Sequence, residues 1–269
     1  LLQEDPSMAG KGRSKGIGEQ NKGGAEPTES CEAEQSGVLC SVREELERNI
    51  DLPTRDGAHR FFKEGVKVHG VKTAVVHVLA KKYFKEIKHL GKEEVFVLCE
   101  DLYRSDYLEE ASIASVWSHE LRKAYEKSDF KRFEGWIERY INNWAKCDVF
   151  CNHTVGSFIE QFPEFTEKLR LWTKSDNRWM RRAAAVSLIL PARRGEFLDV
   201  VFVIADLLLE DDDNLVQKGC GWMLKEASRM HRKEVFDYVV RNRSVMPRTA
   251  LRYAIEKMPD SMRKEAMKK

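Results

Sequence analysis

The chain has 269 residues, of which 42% are apolar and 33% charged, and a formal net charge of +2, a composition that suits a folded globular protein carrying a tail. No apolar run approaches the roughly 18 residues of a membrane span, and the first forty residues lack the apolar segment of a signal peptide. The six cysteines are scattered along the chain rather than set in a disulfide framework, so they read as reduced thiols and the expected location is the cytoplasm.

Residues 1–40 contain seven glycines and almost no bulky apolar side chains. Such a segment cannot bury enough surface to offset its ordering entropy, so a disordered tail is expected there, with the folded domain spanning residues 41–269. The tail holds four Lys/Arg and seven Asp/Glu, which leaves about +5 on the remainder. From Asn214 to Lys269 there are fourteen basic and six acidic residues, a local +8, so positive charge gathers at the C-terminal end and an acidic partner such as nucleic acid is expected.

From Ser41 onward the pattern is helical. Ser41 and Glu44 have the spacing of a capping box, and Ser175 or Asn177, then Asp213, stand where later helices should start. Pro53, Gly70, Gly91, Pro163, Pro191, Gly195, Pro247 and Pro259 interrupt at intervals, leaving segments of ten to eighteen residues. No alternating run argues for a strand. Ten to twelve short amphipathic helices in antiparallel pairs predict an all-α chain: an α-solenoid of HEAT-like pairs with a concave basic groove, in which each pair buries its apolar side against the next.

Three segments carry candidate chemistry. In NNWAKCDVFCNHTVGSFIEQF an apolar stripe runs through Trp144, Cys147, Cys151, Val155, Phe158 and Phe162, and Asp148 lies at its edge, four residues after Trp144. A carboxylate beside an indole at a core margin is partly desolvated and able to face a groove. The plainer reading is a salt-bridged or capping aspartate. In SDNRWMRRAAAVSLIL, Trp179, Ala183, Val186 and Leu190 form the stripe, which makes Trp179 a core residue. Arg182 borders that stripe and is the candidate for a groove-lining cation, whereas Arg181 points away as an ordinary surface charge. Cys147, Cys151 and His153 fall short of any zinc-site spacing, so no metal is expected.

In DNLVQKGCGWMLKEASRM, helical geometry at about 100° per residue groups Val216, Cys220, Met223, Leu224 and Ala227 on one face. Trp222 falls on the opposite side with Lys218 and Lys225. An outward indole flanked by lysines suits a polyanion carrying stackable bases; alternatively, a neighbouring helix covers it. No Walker loop, dinucleotide fingerprint or signature nucleophile is present.

With FFKEGVKVHGVK and RNRSVMPRTALRYAIEKMP, these segments make the chain resemble the AlkD-like DNA alkylation repair enzymes, HEAT-like α-solenoid DNA glycosylases, over roughly residues 41–269. The resemblance implies that Trp144 and Trp222 wall an aromatic cleft holding the lesion-bearing nucleotide, that Asp148 is the catalytic carboxylate, and that Arg182, with Lys218 and Lys225, contacts DNA. It also implies a monomeric, cofactor-free enzyme that releases positively charged N3- or N7-alkylated purines from duplex DNA without a base-flipping pocket, leaving an abasic site. The family pattern has another aromatic about one turn after the arginine, where this chain has Val186 and Ser187, so a cleft with one wall fewer is expected. A DNA-structure-binding protein without catalysis and a protein–protein scaffold are the alternative readings.

Overall fold

The computed structural model describes residues 29–63 and 65–268. Among these the chain is helical, with no strand. The first half contains α1 (Glu29–Arg48), α2 (Leu52–Phe61), α3 (Thr73–Ile87), α4 (Lys92–Arg104), α5 (Leu108–Glu120), α6 (Asp129–Tyr140), α7 (Trp144–Phe150) and α8 (Gly156–Gln161). The second contains α9 (Thr166–Trp172), α10 (Arg178–Val186), α11 (Ile189–Arg193), α12 (Leu198–Leu207), α13 (Asn214–Ala227), α14 (Arg232–Asn242), α15 (Arg248–Ala254) and α16 (Asp260–Ala266). These sixteen segments exceed the expected ten to twelve, in part because α7 and α8 are one rod joined by the π-helical turn Cys151–Val155.

The segments stack in two rows. In one, α3 packs on α5, α5 on α7, α7 on α10, α10 on α13 and α13 on α15; in the other, α4 lies against α6, α9 against α12 and α14 against α16. Pairs such as α4 with α5 and α9 with α10 join the rows, the arrangement of an α-solenoid, in which each pair completes its burial against the next. No helix among the described residues is long and apolar enough to cross a membrane.

Between the rows runs a continuous core in which Trp117, Trp136, Phe96, Phe133, Phe150 and Phe158 are almost wholly buried. The Trp117 and Trp136 indoles find acceptors: Trp117 Nε1 donates to the Ala80 carbonyl at 2.9 Å, and Trp136 Nε1 to Glu100 at 3.2 Å. Trp179 is also buried, as its place on the apolar stripe predicts.

Two expectations about helix starts hold. Asn177 caps α10 by accepting the Trp179 N–H, and Asp213 caps α13 by accepting those of Leu215 and Val216. The capping box at Ser41 does not. α1 already begins at Glu29, and the Ser41 hydroxyl donates back to the Gly37 carbonyl at 3.1 Å, a bond typical of a serine within a helix. Val38 and Leu39 are buried in the core, so the folded unit extends ahead of residue 41. Of the expected tail, residues 1–28 lie outside the described residues.

Gly221 sets the spacing of α13 and α15. A Cβ there would stand 2.5 Å from the Ala250 carbonyl oxygen and 2.6 Å from the Tyr253 Cβ, so the two helices must separate to admit it. The propensity gain of a helical alanine, up to about 1 kcal/mol, is smaller than the ~1–3 kcal/mol of overpacking. Gly221→Ala should therefore lower the unfolding free energy in urea titration. Gly57, where an added Cβ meets nothing within 4 Å, should give the opposite sign, with Gly57→Ala stabilising by about 0.5–1 kcal/mol.

Candidate active site

Three stacked helices of one row bring the candidate residues to a single cavity. Trp144 and Asp148 of α7, Arg182 of α10, and Lys218, Trp222 and Lys225 of α13 all line a space of about 850 Å³. Residues distant in sequence but one or two helices apart in the stack thus meet at one cavity, as the family resemblance implied. Trp222 is half-buried, packed at the margin of the core with part of its surface open to the cavity. Both readings of its orientation are partly right: neighbours support the indole without closing it off.

Asp148 and Arg182 form a bidentate pair at the base of this space. Arg182 Nε donates to Asp148 Oδ1 at 2.9 Å and Nη2 to Oδ2 at 2.8 Å, while Nη1 donates to the Leu215 carbonyl. One guanidinium thereby ties α7, α10 and the first turn of α13. Only 15% of the Asp148 side chain is exposed and 5% of that of Arg182. Burial pushes the Asp148 carboxyl above the usual carboxylate range, and the Arg182 charge and its hydrogen bonds oppose that shift. Three of the five guanidinium N–H groups are engaged, so any phosphate contact by Arg182 falls to the remaining two.

Gly219 makes room for that guanidinium. A Cβ there would stand 3.3 Å from Arg182 Nη1 and 3.4 Å from its Cγ, tighter than side chains ordinarily approach. α7 is pinned from the other side. Asn143 caps it by accepting the Lys146 N–H, and the buried Lys146 ammonium donates to Asp106 Oδ1 at 2.5 Å, the Asp106 carbonyl at 2.9 Å and Asn142 Oδ1 at 3.0 Å. With three acceptors, this buried cation holds the start of the helix that carries Trp144 and Asp148.

The other arginines of α10 grip the loop before α13. Arg178 Nε lies 2.9 Å from Asp213 Oδ2 and its guanidinium stacks on the Trp179 ring. Arg181, expected as an ordinary surface charge, instead donates to Asp211 at 2.7 Å and to the Ser175 and Asp176 carbonyls. The reason is that the α12–α13 connection carries aspartates over the face of α10 that a single-helix projection leaves to solvent.

The cavity also has walls that helical periodicity missed. Phe61 and Lys63 come from the end of α2 and the turn after it, and Tyr253 from α15. The Phe62 ring stacks on Trp144 at 5.2 Å between centroids, and Phe61 meets it edge-on at 5.7 Å. The quoted FFKEGVK segment held this signal, but nothing local showed that it lies beside a helix eighty residues later. Val186 and Ser187 are fully buried and do not line the cavity. Among the described residues lining the cavity, Lys63, Arg178, Arg182, Lys218 and Lys225 are basic and Asp148 alone is acidic. Lys225 pairs with Glu256 at 3.1 Å, whereas Lys63 and Lys218 have no ion-pair partner among the described residues.

Cys147 and Cys151 are buried, with their sulfurs 4.0 Å apart, and the exposed His153 turns instead toward His119. Among the described residues no group of three or more His, Cys, Asp or Glu is placed to hold a metal ion.

This chain is similar in fold to a structure described as a predicted DNA alkylation repair enzyme from Enterococcus faecalis, with a TM-score of 0.70 at 16% identity, over 79% of this chain and 98% of that one. No curated protein matches it. The family model of the DNA alkylation repair enzymes matches residues 42–258, which include every residue of the cavity described above. The chain belongs to the DNA alkylation repair enzyme family.

Proposed function

We propose that the protein is a monofunctional DNA glycosylase that excises positively charged N3- or N7-alkylated purines from duplex DNA, acting as a monomer without a cofactor. The observation that carries this reading is a carboxylate held bidentately by a buried arginine, in a cavity that two tryptophans also line and whose other charged residues are all cations. Such a site suits a polyanion whose sugar turns cationic during the reaction.

An alkylated purine is already charged, so its glycosidic bond breaks without a general acid. The C1′–N electron pair goes to the purine, which leaves neutral, and the sugar becomes oxocarbenium-like. Water adds at C1′ and loses a proton, leaving an abasic site. Asp148 stabilises the developing cation or orients that water, and the Trp144 and Trp222 rings add cation–π contact. Arg182 keeps the carboxylate ionised and aimed. Lys218 and Lys63, without an ion-pair partner among the described residues, suit the flanking phosphates, with Lys225 at their side.

Release of 7-methylguanine or 3-methyladenine from methylated duplex is the primary assay. Wild-type protein should release both, and Asp148→Asn should slow single-turnover release by about 100-fold or more. Binding of that DNA with no release would support the DNA-structure-binding reading instead. Trp222→Ala should weaken duplex binding by about tenfold with little change in thermal stability, since part of the indole faces the cavity; equal affinity would remove Trp222 from the interface.

Activity requires ionised Asp148, so it should fall as pH drops through a carboxyl value lying above the ordinary 3.8. Arg182 opposes the upward push of burial. Replacing its fork by a single ammonium in Arg182→Lys should therefore move the acid limb of single-turnover release to higher pH, and an unmoved limb would contradict the role given to the pair.

A further inference from the structure

A second cavity, of about 480 Å³, lies behind the aromatic wall of the first and shares Phe61 and Trp144 with it. Its character is different. No lysine or arginine lines it, and its surface is mainly apolar, from Phe62, Val68, Val71, Val76 and Leu108. The one carboxylate among its lining residues, Glu109, is buried and already accepts the N–H groups of His69 at 3.0 Å, Gly70 at 2.8 Å and Val71 at 3.1 Å. Thr73, Ser112 and the exposed His77 ring supply a few polar groups.

The two cavities thus divide by charge at the Phe61–Trp144 wall. The cationic one fits the phosphate backbone, while the second offers a planar aromatic surface, few polar groups and no cation. Breaking the glycosidic bond produces fragments with matching properties, because the electron pair that leaves C1′ neutralises the alkylpurine. We infer that this second cavity is a binding site for the neutral purine base after its release, an inference that rests on the glycosylase reading. A planar, uncharged heterocycle gains by packing against the aromatic surface that Phe61, Phe62 and Trp144 present to the cavity and by leaving water. The Glu109 carboxylate is turned onto three backbone N–H groups, so a nucleoside whose purine is still cationic must be desolvated beside a counter-charge that is already engaged, and is disfavoured there.

Gly57 gives a clean test. It lines the second cavity but not the first, and a Cβ built on it meets no atom within 4 Å, so Gly57→Leu adds bulk without an overlap at its base. Ser112→Leu fills the same cavity from the opposite helix. Equilibrium dialysis of the full chain against labelled 3-methyladenine, with no DNA present, should show saturable one-to-one binding, about tenfold weaker in each filled variant. The cationic nucleoside 7-methylguanosine should bind wild type about tenfold more weakly than the free base. Affinity of both variants for an abasic duplex should stay at the wild-type level, which certifies their fold and the first cavity. No saturable base binding by wild type, unchanged base binding in two folded variants, or equal affinity for the nucleoside would overturn the inference. Base binding is read without catalysis, so its failure beside intact excision would leave the glycosylase reading standing, and failed excision would be seen separately.

Discussion

The Asp148–Arg182 pair is the constraint on which the site depends. A buried bidentate pair is not by itself a good source of stability, because desolvation of both groups offsets most of the attraction. Losing one partner is far worse, at about 3–5 kcal/mol, since the survivor stays buried and unpaired. The two residues therefore hold each other in place, and the Leu215 carbonyl draws the start of α13 into the same arrangement. Gly219 is part of it, because a Cβ there would press on the guanidinium from 3.3 Å.

Around that pair the stack supplies what a flat surface cannot. Consecutive helices of one row each contribute between one and five lining residues, so a cavity some four helices wide can combine indoles, a carboxylate and several cations without any loop insertion. Most of the cations are committed. Arg178 and Arg181 fasten the α12–α13 connection, Arg182 fastens Asp148, and Lys225 is held by Glu256. Lys63 and Lys218, which line the cavity without an ion-pair partner among the described residues, are the exceptions. Rigid anchored cations set geometry, while lysines without partners can follow a backbone.

Much of this was legible in the sequence where it depended on a single helix. The 100° rule separated Trp222, Lys218 and Lys225 from the apolar face of α13, placed Asp148 at the margin of α7, and picked Arg182 over Arg181 as the inward arginine. Asn177 and Asp213 announced the helices they cap. Information failed where tertiary neighbours decided. Ser41 had the spacing of a cap, yet Val38 and Leu39 found a core to bury in and the helix started earlier. Arg181 faced solvent on its own helix until the aspartates of another segment covered it. Phe61, Lys63 and Tyr253 joined the cavity only through the stacking of helices far apart in sequence, for which no periodicity exists.

The central claim is electrostatic: Asp148 acts by stabilising positive charge on the target sugar. Its most direct measurement compares the affinity of the protein for duplexes in which that sugar is replaced by a cationic pyrrolidine or by an uncharged tetrahydrofuran of the same shape. The account predicts that the cationic duplex binds more tightly, by at least about tenfold, and that Asp148→Asn abolishes the difference. Equal affinity of wild-type protein for the two duplexes would contradict it.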